Sequence, residues 1–376
     1  MERACKPVII DLHIPYCIRP EKYQNHFGAV GTNEEKNAYL RALRREVLSW
    51  EGELDGYEVL AVRLSGGSAT VMHPDMLGDV LYTVREHLPV ARAAEVSFDA
   101  LPNTIGTPSM TGIGGGSPNR VELMMRSEDD RELHALNCAF SYENVQNAML
   151  FFEKFHMNNV GLTVNYGIPG QTMVSWHNTL HACVIMNPAH ISVEPLCVTD
   201  APGMPDAAAR FEMYAHACQY LKEQGYVQYG ARHFCLPHHE YVFEALKMDG
   251  ADVIGMGVDA VSAFDGYVTR NTNNLALYVK NAGDMEKLTA KAYELDNTQQ
   301  QLAYAVGRTT AVSGLRMAAF EARFGTAVPE EIKEKLSALA DKGFIENGDA
   351  GFVPTVQGLF HAEEMKAVIL SEKAGG

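Results

Sequence analysis

Asp11-Leu12-His13-Ile14-Pro15-Tyr16-Cys17-Ile18-Arg19-Pro20-Glu21-Lys22-Tyr23-Gln24 follows directly on an apolar run, Val8-Ile9-Ile10. The run reads as a strand. Pro15 and Pro20 break it, so Cys17 is expected in a loop just past a strand end. Working outward, strand-like and helix-like stretches alternate. Pro7–Ile14, Glu58–Leu64, Glu95–Ala100, Arg120–Met125, Val160–Ile168, Ile191–Leu196 and Tyr226–His233 read as strands. Asn33–Trp50, with Thr32 as N-cap, His73–Leu88, Tyr142–His156, Val174–Met186 and Ala207–Gln224 read as helices. Leu101–Ser117 is rich in glycine and proline, lacks periodicity and is expected to be loop. Such alternation predicts an α/β fold on a parallel sheet, an open or partial TIM-type (β/α) barrel of about six to eight units.

The pattern changes near residue 286. Helices are expected at Glu286–Leu295, Gln299–Val306, Leu315–Phe324, Pro329–Lys342 and Thr355–Leu370, with a hairpin or wing at Phe344–Pro354. The chain therefore divides into a barrel over residues 1–285 and a mostly α, winged-helix-like domain over 286–376. The second core helix of that domain carries Glu330, Glu331, Glu334 and Asp341 against Lys333, Lys335 and Lys342. A recognition helix needs an excess of basic groups, so no nucleic acid is expected there.

A hydrophobic share of 47% over 376 residues supports a sizeable core, and a formal charge of -16 argues against nucleic acid and anionic lipid as partners. No run of about 18 apolar residues exists to span a bilayer, so no membrane insertion is expected. The seven cysteines are scattered, odd in number and free of Cys-x-x-Cys spacing. They read as reduced thiols in a cytoplasmic protein.

The opening loop resembles that of the radical S-adenosylmethionine (SAM) family of oxygen-independent coproporphyrinogen III oxidase and its haem-chaperone branch. There a strand ending in Tyr-x-His-Ile-Pro-Phe-Cys leads to Cys-x-x-x-Cys-x-x-Cys, whose thiolates hold a 4Fe-4S cluster that binds SAM. Further segments match in the same order. Ser65-Gly66-Gly67-Ser68 is similar to Gly-Gly-Gly-Thr, and Asp99-Ala100-Leu101-Pro102 to Glu-Ala-Asn-Pro. Asn119–Ser127 is similar to Asn-Arg-x-Ser-x-Gly-Val-Gln-Ser, and Tyr166–Thr172 to Tyr-Gly-Leu-Pro-Gly-Gln-Thr. Trp176, Thr179-Leu180, His190–Val193, Gly225–Tyr229 and Gly255–Ser262 also fit.

The departures fall on the cofactor contacts. Cys17 stands at the first thiolate position, while Glu21 and Gln24 stand at the second and third. The SAM-contacting tyrosine is Asp11; around the degenerate SAM site, represented by Gly66, Gly67, Asp99, Arg126 and Thr163, a family Gln has become Arg126 and a family Asp has become Thr163. Iron–sulfur clusters are held by cysteine thiolates, and neither a carboxylate nor an amide replaces them. Neither the cluster nor SAM is expected to bind, which leaves a degenerate, non-catalytic relative.

Two places are candidates for a replacement function. Residues two apart on a strand share a face, so Asp11, His13, Glu122 and Glu194 are expected to bring polar groups to the vacated barrel mouth. They would serve a polar ligand, new acid–base chemistry or a metal ion, or else form an ion-pair network such as Arg120 or Arg126 with Glu122. Cys235-Leu236-Pro237-His238-His239 lies near a segment that the resemblance links to haem, and Cys235, His238 and His239 are candidate iron ligands; a solvated turn is the alternative. The expected function is binding of haem, another tetrapyrrole or a small anionic ligand, or of a protein partner. The alternatives are an enzyme with new chemistry in the mouth and a radical SAM oxidoreductase with an atypically ligated cluster.

Overall fold

Six strands pair in parallel and in chain order: β1 Lys6–Ile14, β2 Tyr57–Gly66, β3 Val90–Ala100, β4 Arg120–Arg126, β5 Val160–Tyr166 and β6 His190–Pro195. The computed structural model describes residues 5–23, 28–198 and 200–371. After β6 come β7 Val227–Gln228 and β8 His233–Cys235, both in antiparallel pairings. On the far side β9 Asp252–Met256 runs parallel to β1, and β10 Val261–Phe264, β11 Tyr267–Asn271 and β12 Thr289–Glu294 continue the sheet antiparallel. The order is β12-β11-β10-β9-β1-β2-β3-β4-β5-β6-β8-β7. The ends do not pair with each other, so the barrel is open.

Alternation along each strand sorts the two faces. Val8, Ile10, Leu12 and Ile14 of β1, Val121, Leu123 and Met125 of β4, and Ile191 and Val193 of β6 all join one large apolar core with the flanking helices. The other face looks into the lumen and is largely polar: Asp11, His13, Arg63, Asp99, Arg120, Glu122 and His190. At the N-terminal end of the strands the lumen is filled by a small apolar cluster of Ile9, Ala61, Tyr241 and Phe243.

The helix Asn33–Ser49 begins where its sequence says it should. Thr32 accepts from the Glu35 N–H, and the Glu35 side chain reaches back to the Thr32 N–H in a capping box. The same helix carries a buried acid, Glu46. Its carboxylate accepts from the Tyr278 hydroxyl at 2.6 Å, the Asn271 amide at 2.7 Å and the Gly257 N–H at 2.8 Å. This ties the first helix to the strand that flanks β1 and to the segment beyond it.

Four sequence expectations need correction. Leu101–Ser117 is not all loop: Thr107–Gly114 is helical, started by Pro108 in its first turn and by Ser109 bonding back to the Gly106 N–H. It packs on the helix Pro74–His87, where Gly78 and Gly112 meet backbone to backbone. A methyl group at Gly78 would run into the Gly112 carbonyl, so G78A is expected to cost about 1–3 kcal/mol, read as a lower urea midpoint; an unchanged midpoint would mean the helices are free to separate. Tyr226–His233 is not one strand but two short ones folded back on each other. Glu286–Leu295 is a single turn, Met285–Leu288, followed by β12. Thr355–Leu370 is two helices, Val356–Phe360 and Ala362–Leu370, meeting at His361.

A separate apolar cluster, including Phe320, Ile332, Leu336, Leu339, Phe352 and Met365, forms the core of the C-terminal region. The helices Asn297–Thr310, Met317–Phe324 and Glu330–Asp341 pack there with a three-stranded sheet. Its strands are β13 Leu315–Arg316, β14 Ile345–Gly348 and β15 Gly351–Pro354, the last two forming the expected hairpin.

Candidate functional site

The loop after β1 is held from both sides. Gly67 and Ser68 donate backbone N–H groups to Ile14 and Tyr16 at 2.6 and 2.9 Å. Gly66 sits at φ +102, and a side chain at Gly67 would meet the Tyr16 carbonyl, so this Gly-Gly pair exists to let β2 approach the loop. On the other side Lys22 N–H bonds Leu136 at 2.8 Å, Asn137 bonds Pro20 at 2.8 Å, and Arg19 bonds the carbonyls of Asn137 and Cys138. Cys17 is thus fixed, half-buried, with its Sγ 3.9 Å from the Ala29 carbonyl. Burial and then the Glu21 carboxylate raise its thiol pKa. A nucleophilic cysteine needs the opposite shift.

Glu21 is engaged elsewhere. Its Oε2 lies 3.1 Å from Arg126 Nε, and both side chains are nearly buried. Arg126 reaches this position through a bulge near the end of β4, with φ at +62. Its Nη1 also donates to Asn165 at 3.3 Å. Two positions that the resemblance assigns to a cluster thiolate and a SAM contact are therefore joined as one ion pair. The cavity there, lined by Cys17, Glu21, Leu101, Met124 and Arg126, has a volume of about 40 Å³, room for a few waters. Gln24 lies outside the described residues. One thiol, beside a carboxylate already bound to arginine, is not the three-thiolate donor set of an iron–sulfur cube.

Deeper in the lumen the strands place His190, Gly161, Glu122 and Asp99 in one register row. Gly161 has no side chain, and the Glu122 carboxylate lies over it. Glu122 contacts Arg120 Nη1 and His190 Nδ1, each at 3.5 Å. Burial alone would raise its pKa; His190, then Arg120 and Arg63, bring it below the usual value. Arg120 is fully buried. It bonds Glu95 at 2.9 Å, Asn159 at 3.1 Å and the His239 carbonyl at 2.9 Å, and lies 4.8 Å over the Tyr241 ring. Arg63 joins Asp99 at 3.0 Å to Glu244 at 2.9 Å. Burial lowers the His13 pKa.

The acids of the expected quartet each take a separate partner. Asp11 accepts from Ser65 at 2.5 Å, Glu122 sits with Arg120 and His190, and Glu194 pairs with Arg232 at 2.9 Å. Of the pairs expected for Glu122, the one with Arg120 forms, while Arg126 goes to Glu21. Thr163 lies on β5, in register with Met124 and Ser192. The haem-candidate loop lies at the other end of the barrel. Cys235 pairs with His190, the first residue of β6, whereas Cys17 follows the last residue of β1. Cys235 is buried, while His238 and His239 are exposed, with His238 at φ +68 in a turn. Among the described residues no three His, Cys, Asp or Glu side chains are grouped to hold a metal. Sequence reading missed Arg63, Glu95, Gly161 and Glu244. Only the glycine inside a strand gave a local signal.

An open parallel barrel with its loop site at the carboxyl ends of the strands is a TIM-type scaffold. No family model matches the chain. It is 25% identical over 363 residues to oxygen-independent coproporphyrinogen III oxidase of Bradyrhizobium diazoefficiens, covering 90% of this chain and 80% of that protein. It is 23% identical over 277 residues to the haem chaperone HemW of Escherichia coli, covering 71% and 73% of the two. The structure of E. coli coproporphyrinogen III oxidase HemN, described as a radical SAM enzyme, superposes with a TM-score of 0.83 at 18% identity, over 98% of this chain and 91% of that one. In sequence the protein is thus similar to the oxygen-independent coproporphyrinogen III oxidases and the HemW haem chaperones, and its fold is that of HemN. No helix among the described residues is long and apolar enough to cross a membrane.

Proposed function

We propose that the protein is a cluster-free member of this group that binds a tetrapyrrole, or a related anionic molecule, without radical chemistry. The observation that carries the reading is the Glu21–Arg126 ion pair. Glu21 is satisfied by the guanidinium it faces, breaking that pair would leave a nearly buried charge uncompensated, and the carboxylate stands where the resemblance needs soft anionic sulfur. The tetrapyrrole comes from the similar proteins, one named a coproporphyrinogen III oxidase and one a haem chaperone.

The test has two parts. After anaerobic reconstitution with iron and sulfide, the desalted protein is expected to keep no cubane absorption and to form no 5′-deoxyadenosine from SAM under reduction. Titration with haem is expected to give a saturable Soret shift. Cluster retention with SAM cleavage would overturn the first half, and an unshifted Soret band the second. If haem binds, H238A and H239A report whether the loop supplies an axial ligand: loss of the shift in either assigns it, and no change in both removes the loop from the site.

A further inference from the structure

The helices Met173–Ile185 and Ala207–Glu223 lie side by side on the outside of the sheet. His177 and His181 occupy successive turns of the first, and His216 and Tyr220 successive turns of the second. His177 Nδ1 is 3.1 Å from His216 Nε2, and His181 Nδ1 is 3.0 Å from the Tyr220 hydroxyl. The partners are 39 residues apart in both contacts, so the two helices run parallel and the pairs repeat one turn on. The rings are ordered against each other. His177 and His181 are parallel within 10°, and His216 stacks on Tyr220 at 21°. His177 and His181 are exposed and His216 half-buried, so the cluster opens to solvent.

We propose that His177 and His216 form a two-imidazole surface site for a borderline d-block divalent cation, Zn²⁺ or Cu²⁺, with water completing the coordination sphere. At metal–nitrogen bonds of about 2.0–2.1 Å, two ligands of a tetrahedral ion stand about 3.4 Å apart, and two adjacent ligands of a square-planar ion about 2.9 Å. The observed 3.1 Å falls between them. A modest turn of both rings converts facing nitrogens into converging ones. A lone hydrogen bond between exposed imidazoles contributes little, because water competes for both partners. The rings flanking the pair, His181 and Tyr220, restrict its rotation, which is the role of outer groups around metal ligands. The site is remote from the β1 loop and independent of the function proposed above.

Equilibrium dialysis with ZnCl₂ at pH 7.5 tests this on the full chain, with H177A, H216A and H181A beside the parent. H238A/H239A serves as a control for an ordinary exposed histidine pair. One ion per chain is expected to bind, with affinity reduced at least about tenfold in H177A and in H216A, since each loses the chelate. H181A and the control are expected to stay within about twofold. Cu²⁺ electron paramagnetic resonance should show hyperfine splitting from two imidazole nitrogens in the parent and from fewer in H177A. All these substitutions lie on or near the surface, and circular dichroism confirms that each variant is folded. Zinc binding that is absent, that survives both H177A and H216A, or that disappears in the control would overturn the assignment.

Discussion

Replacing Arg120 with alanine is expected to cost about 3–5 kcal/mol of folding stability, because removing one partner of a buried ion pair leaves the other charged and unsolvated. The guanidinium is completely buried and serves Glu95, Glu122, Asn159 and the His239 carbonyl at once. In R120A two carboxylates remain in the lumen. Burial already raises the Glu95 pKa, and only Arg120 and the Phe243 N–H oppose it. Without the arginine, these acids can relieve the penalty by taking up protons. The loss should therefore be larger at pH 8 than at pH 5. Urea denaturation at both values measures it. A loss below about 1 kcal/mol at pH 8 would show that the lumen is wet enough to solvate the acids, and the packed ion-pair description would fail. The second variant R120A/E95A separates the pair from its surroundings. If the damage comes from a stranded carboxylate, the double variant is more stable than R120A alone.

Glu46 is expected to make the protein lose stability as pH rises from about 4.5 to about 7. Burial raises its carboxyl pKa from 4.5 to about 7, and the bonds from Tyr278, Asn271 and Gly257 only partly oppose this. In the unfolded chain the same group ionises near its ordinary value. Between the two pKa values folding must take up a proton. The contribution is fully present below about 4.5 and is lost as pH rises through about 7. A difference of about 2.5 in pKa corresponds to about 3 kcal/mol. The variant E46Q cannot titrate. It also turns an amide donor toward donors, because Asn271 is fixed by its second bond to the Gly257 carbonyl at 2.9 Å. E46Q should be less stable than the parent at pH 5, and the gap should shrink by about 2.5 kcal/mol by pH 8. A gap that stays constant between pH 5 and 8 would mean that Glu46 is ionised throughout in the folded protein.

Much of the barrel could be read along the chain because the information is local. The apolar run Val8-Ile9-Ile10 marks a strand, Leu12 and Ile14 then alternate with Asp11 and His13, and Thr32 with Glu35 marks a helix start. The errors share a cause. Thr289–Glu294 includes the helix formers Ala290, Lys291, Ala292 and Glu294, yet pairing with β11 holds it as a strand. Thr107–Gly114 has the composition of a loop, yet its contact with Pro74–His87 and the Ser109 cap make it a helix. At the site, residue types could be read but partners could not. Glu21 and Arg126 lie 105 positions apart, and nothing in either neighbourhood announces the other. Gly161 became meaningful only once the Glu122 carboxylate was seen lying over it.

The bond between Glu21 and Arg126 also couples two positions that lie 105 residues apart. A cysteine placed at position 21 would strand a nearly buried guanidinium, and a glutamine placed at position 126 would strand a nearly buried acid. Either change alone works against folding, so the two positions constrain each other whatever the site binds.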